Sequence, residues 1–172
     1  TYKDCANNSY PWSFTYVIIP EKFNEIADKD TTVHCVGDTP TEPVKPVIEV
    51  CGKTITLVRD SVVNHTEDCG ERIFYYSYSV NDTAHYWKYT YNIHPEDFRM
   101  PDNQELTVNC YAQATASSIT LPTVKDSCGN VLTPGDYTKN DGNYNGCQGD
   151  VVFTYPYTDC AGHTHNWTFT YH

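Results

Sequence analysis

The sequence predicts an all-β protein built as tandem immunoglobulin-like β-sandwiches stabilised by disulfides, and three observations carry that prediction. The first is composition: 15 Tyr, 8 Cys, 10 Pro, 9 Gly and a single Met in 172 residues suit short strands joined by turns. The second is alternation. Trp87, Tyr89, Tyr91 and Ile93 are interleaved with Lys88, Thr90 and Asn92, the period of a strand with one face on a core. The third is repetition, which decides the architecture. Trp12-Ser-Phe-Thr-Tyr16, Trp87-Lys-Tyr-Thr-Tyr91 and Trp167-Thr-Phe-Thr-Tyr171 share one pattern, and their Trp residues lie 75 and 80 positions apart.

The elements follow in order. Residues 1–19 read as the closing arm of a preceding repeat, with Trp12, Phe14, Tyr16 and Ile18 on one strand face and Asp4-Cys-Ala6 upstream. Residues 20–94 form one repeat. Its helix candidate, Glu21–Lys29, lacks a strong apolar face and reads as linker; Thr32–Cys35 and Val47–Val50 read as strands; Phe74, Tyr76 and Tyr78 precede the Trp87 strand. Residues 95–172 form the next repeat, entered through Pro95-Glu-Asp-Phe98, an echo of Pro20-Glu-Lys-Phe23 that Pro holds extended. Glu105–Cys110, Ser118–Lys125 and Val151–Tyr157 are its strands, and Asp159-Cys-Ala-Gly-His163 turns into Trp167. About seven short strands per repeat make a sandwich. Both ends fall inside the pattern, and no Met or leader opens the chain, so a longer, processed parent is expected.

Eight cysteines point to an oxidising compartment and a disulfide framework. Four cysteines per repeat allow three pairings. An assumed immunoglobulin topology brings Cys128 and Cys160 to one pole and Cys110 and Cys147 to the other, which selects Cys110–Cys147 and Cys128–Cys160. By analogy Cys35–Cys69 forms in the first repeat, where Asn81-Asp-Thr-Ala84 replaces the fourth cysteine. Cys5 and Cys51 are then left over, and an even total leaves Cys5–Cys51 open as a bridge within one chain or between chains.

Chemistry is sparse. A formal charge of -11 disfavours nucleic acid, and no apolar run approaches the roughly 20 residues of a membrane helix. Nucleophile elbows, phosphate loops and dinucleotide fingerprints are missing from the sequence. Glu96/Asp97 and Glu67/Asp68 have the chemistry of glycosidase carboxylates but the setting of solvated linkers and turns. Cys160, His163 and His165 supply zinc-type ligands without a completing pair. Asp38, Asp126 and Asp159, near strand ends, are the calcium candidates, although no EF-hand loop supports them. The expectation is therefore no catalytic residues, no metal and no required cofactor. Sequons at Asn7, Asn64, Asn81 and Asn166 are candidate glycosylation sites.

Pro122-Thr-Val-Lys-Asp-Ser-Cys-Gly129 and Tyr157-Thr-Asp-Cys-Ala-Gly162, followed by the Trp167 strand, resemble hyalin-repeat-like (HYR-like) domains of the four-cysteine kind. The likeness spans nearly the whole chain, and the missing fourth cysteine of the first repeat is its main departure. It implies an immunoglobulin-like fold, a large secreted or surface protein of the Bacteroidota type, and an adhesive or stalk role. It also implies hydroxyl glycosylation in Asp-(Ser/Thr)-x motifs, here at Thr31, Ser61 and Thr83. The function expected is a structural segment of a long extracellular stalk, adhesin shaft or filament. Its partners would be neighbouring repeats, joined in one array or by strand addition through the arm bearing Trp12, Phe14, Tyr16 and Ile18. A glycan- or protein-binding module and an accessory domain of a secreted enzyme are the alternatives.

Overall fold

Side chains of large aromatics at every second position must be covered on one face. The computed structural model, which describes residues 1–19, 23–64 and 69–172, meets that demand with two separate sandwiches. An N-terminal hairpin joins β1 (Tyr2–Lys3) to β2 (Ser9–Tyr10). The first repeat contains β3 (Lys29–Val33), β4 (Ile48–Val50), β5 (Lys53–Ile55), β6 (Val58–Asn64), β7 (Gly70–Val80) and β8 (Thr83–Ile93). The second contains β9 (Gln104–Leu106), β10 (Val124–Lys125), β11 (Val131–Leu132), β12 (Thr138–Asn140), β13 (Val151–Thr158) and β14 (Thr164–Tyr171).

The two repeats share one topology. In the first, a sheet of order β3-β8-β7-β6 faces the β4–β5 hairpin; in the second, β12-β13-β14-β9 faces β10–β11. Each closing strand pairs antiparallel with the strand before it and parallel with the opening strand, β8 with β3 and β14 with β9. The all-β, immunoglobulin-like class expected from the sequence is the class observed.

Alternation builds the cores. Phe74, Tyr76, Tyr78, Val80, Trp87 and Tyr91 are buried with Ile48 and Leu57 in the first. Val151, Phe153, Tyr155, Tyr157, Trp167, Phe169 and Tyr171 are buried with Phe98 and Val124 in the second. Each Trp also pins the linker that enters its sandwich. Trp87 Nε1 donates to Ala27 O and Trp167 Nε1 to Asp102 O, both at 2.9 Å. Backbone amides of the next residues, Lys88 and Thr168, donate to Asp28 Oδ1 and Asn103 Oδ1.

Several expected elements differ. Among the described residues each repeat has six strands. Of the expected strands only Glu105–Leu106 falls in β9 and only Val124–Lys125 is β10, and 3₁₀ turns at Tyr111–Gln113 and Ala116–Ser118 lie between the two. Of the linker candidate Glu21–Lys29, positions 21 and 22 lie outside the described residues, as do Glu67 and Asp68; positions 23–28 are irregular and Lys29 opens β3. The arm is not a strand at positions 11–19. Trp12, Phe14, Tyr16 and Ile18 are all exposed there, and a strand needs a neighbouring edge to hydrogen-bond.

Candidate functional site: the junction between repeats

The second repeat carries two five-residue knobs, Asp126-Ser-Cys-Gly-Asn130 and Asp159-Cys-Ala-Gly-His163, that close in the same way. Asp126 N–H donates to Asn130 O and Gly129 N–H to Asp126 O; Asp159 with His163, and Gly162 with Asp159, repeat both bonds. The opening carboxylate is buried and satisfied from within. Asp126 accepts from Cys128 N, Asn130 N and Asn130 Nδ2 at 2.8–2.9 Å. Asp159 accepts from His163 N at 2.9 Å and pairs with His163 Nδ1 at 2.7 Å. Gly129 and Gly162 both sit at φ +91°, a left-handed bend that an L side chain resists. Such a loop holds its cysteine at the tip of a rigid turn.

At the facing pole of the first repeat, Cys35 precedes the 3₁₀ turn Val36–Asp38, and Asp38 Oδ2 accepts its N–H at 2.9 Å. Cys69 immediately precedes β7. The knobs meet these two positions covalently. Cys35 is bonded to Cys128 and Cys69 to Cys160, with Cα separations of 5.6 and 5.7 Å, inside the range a disulfide spans without backbone movement. Non-covalent contacts cross the same gap. The His94 and His163 rings lie parallel with centroids 6.4 Å apart, and Cys128 Sγ is 3.5 Å from His34 O. Beside them, His34 Nε2 is 3.6 Å from Glu96 Oε1.

The hydrogen bond from His163 to Asp159, aided by the charge of Asp159 and more distantly Asp97, outweighs burial and raises the imidazole pKa. Its folded value therefore exceeds the unfolded value of about 6.5, so the protonated form is the one folding favours. This contribution is fully present below about pH 6.5 and is lost as pH rises through the raised folded value. His172, held by Asp150 and Glu105, titrates in the same direction. Thermal midpoints are expected to fall between pH 6 and 8, with a shallower fall in His163→Gln. An equal slope in that variant would remove His163 from the account.

The pairings expected from the sequence need correction. Cys128–Cys160 and Cys35–Cys69 do not form, because the two cysteines of each pole point outward at a neighbouring repeat rather than across their own pole. Cys110 and Cys147 are exposed thiols, as are Cys5 and Cys51, so neither Cys110–Cys147 nor a Cys5–Cys51 bridge within one chain is present. Sequence reasoning grouped the cysteines by pole but assumed that each repeat closes on itself. A signal was available in the first repeat. Its fourth cysteine is missing from the pole that faces away from the second repeat, while both positions facing the second repeat are filled.

Two matches to the family model of the HYR-like domain with 4 cysteines cover residues 23–93 and 98–172. The chain belongs to this family. Each HYR-like repeat coincides with one sandwich, and the junction joins the pole before β7 of one repeat to the knobs of the next. None of the curated proteins matches the chain.

The other candidate residues disperse over the HYR-like pair. Among the described residues no group of three or more His, Cys, Asp or Glu is arranged to hold a metal. Of the zinc-type set, Cys160 is in a cystine, His163 is paired with Asp159, and His165 Nε2 reaches Asp97 Oδ1 at 2.7 Å. Of the calcium-type set, Asp38, Asp126 and Asp159 direct carboxylate oxygens at neighbouring donors within their own turns. The glycosylation candidates Asn7, Thr31, Ser61, Asn64, Asn81, Thr83 and Asn166 are all exposed. No helix among the described residues is long and apolar enough to cross a membrane.

Proposed function

We propose that the chain is a non-catalytic structural segment of a long extracellular surface protein or filament, a shaft whose consecutive repeats are welded rather than hinged. The observation that carries this reading is the double bridge. A single covalent tie between two sandwiches leaves rotation about it, whereas Cys35–Cys128 and Cys69–Cys160 fix two separate points of one interface. Disulfides persist in oxidising compartments, which supports an extracellular setting. Net charge of -11 keeps such repeats soluble and limits indiscriminate adhesion.

Load-bearing is the testable consequence. Under tension between Thr1 and His172 the Cys35–Cys128 bond short-circuits the 93-residue separation between its ends. At about 3.3–3.6 Å per extended residue, reduction is expected to add roughly 300 Å to the unfolded contour length. Single-molecule force spectroscopy with and without reductant reads that difference directly. Equal contour lengths in both conditions would reject a welded shaft.

A further inference from the structure

The second repeat has its own copy of the bonded pole, and that copy is empty-handed. Cys110 stands where Cys35 stands: each follows an opening strand that pairs parallel with the closing strand, and each precedes a 3₁₀ turn. The turn residue three positions on accepts the cysteine N–H in both, Asp38 at 2.9 Å and Gln113 at 3.3 Å. Cys147 lies four residues ahead of β13, in the segment that leads into it, as Cys69 lies directly ahead of β7. Cys110 and Cys147 line one hollow together with Val108, Tyr111, Tyr144 and Tyr171, and both thiols are exposed.

We infer that this pole is a socket for the two cysteine knobs of a further HYR-like repeat joined in register after His172, which it would bind through Cys110 and Cys147. The inference rests on the shaft reading and names the partner of its open end. Residues 35 and 69 show what such a pole accepts. The Asp126–Asn130 knob reaches the position before the 3₁₀ turn, and the Asp159–His163 knob reaches the position before the long strand. By the same register Cys110 takes the knob equivalent to Cys128, and Cys147 the knob equivalent to Cys160. The first repeat does not suit the role, because its own hairpin turns carry Cys51 but no second cysteine, the other being Asn81-Asp82. Each bridge forms when two thiols yield two protons and two electrons to a disulfide oxidant, which leaves as two thiols.

The test lengthens the full chain by appending a second copy of residues 93–172 after His172, which restores the spacing found after Tyr91. The protein is refolded in a buffer of reduced and oxidised glutathione and mapped without reduction. The added copy brings four cysteines, yet the number of alkylatable thiols is expected to remain four, the number free in the present chain. Peptides joining Cys110 and Cys147 to the added counterparts of Cys128 and Cys160 are the expected crosslinks. Recovery of Cys110 joined to Cys147, in the lengthened or the present chain, overturns the inference. So does a lengthened chain with a folded third repeat and eight free thiols. Because Cys35–Cys128 and Cys69–Cys160 are mapped in the same digest, a failure confined to the new junction is distinguishable from failure of the shaft reading itself.

Discussion

Replacing Cys128 and Cys160 together by serine is expected to unlock the two repeats while leaving each sandwich folded. Both cystines lie at poles, outside the two buried clusters, so their loss opens no cavity. Their effect is on the unfolded chain and on the junction. Closing the loop between Cys35 and Cys128, a sequence separation of 93, stabilises by roughly 4–5 kcal/mol in the chain-entropy model. The second bridge adds less, because its 91-residue loop interlaces with one already closed. A combined loss of about 5 kcal/mol corresponds to a thermal midpoint lower by roughly 10–20 °C at this chain length. Calorimetry reads that shift, and X-ray scattering reads the accompanying broadening of the long-dimension distribution. Near-ultraviolet circular dichroism, which reports the packed aromatics, is expected to be retained. Cys110→Ser with Cys147→Ser serves as the matched control and is expected to leave all three signals unchanged, since those thiols are unbonded. A double serine variant at Cys128 and Cys160 with unaltered midpoint and scattering would exclude the cystines from the folded protein.

Much of the fold was legible because its determinants are local and repeated. Alternation in Trp87–Ile93 and Val151–Tyr157 depends only on each strand having one buried face, and both appear as β8 and β13. The turn at Asp159-Cys-Ala-Gly-His163 was legible, and the structure shows why both knobs close alike, with an acceptor carboxylate at the start and a left-handed glycine near the end. What escaped was relational. Whether Cys128 faces Cys160 or a neighbouring repeat is set by the direction of two knobs relative to the pole of another sandwich, and no periodicity encodes that. The length of β10 escaped for a related reason: Ser118–Ile119 looks strand-like alone, but the backbone there closes a 3₁₀ turn instead. The Trp12 arm shows the limit most clearly. Its pattern equals that of Trp87 and Trp167, yet its side chains are exposed, because a strand pattern specifies a face and not the core that covers it.

The same contrast makes the tryptophans the sharpest probe of modularity. Trp87 and Trp167 are 1 % and 0 % exposed, whereas Trp12 is 65 % exposed. Truncating a buried Trp to Ala typically removes 3–5 kcal/mol through lost transfer energy and the cavity left behind. Here the indole N–H is lost as well, leaving Asp102 O or Ala27 O without its donor and freeing the linker that Trp pinned. A sandwich of this size has a total stability of only about 4–11 kcal/mol. Trp167→Ala is therefore expected to unfold or nearly unfold the second repeat, and Trp87→Ala the first. Trp12→Ala is expected to change the midpoint by less than about 0.5 kcal/mol equivalent. Hydrogen exchange resolved by peptide distinguishes these outcomes. Protection is expected to collapse over β13–β14 in Trp167→Ala while β7–β8 loses less, since among the described residues the two buried clusters share no member and the repeats are joined at the junction. Uniform collapse of both repeats in either variant would mean that the cystine pair transmits enough free energy to merge two cores into one cooperative unit. A large effect of Trp12→Ala would mean that the arm docks on a core after all.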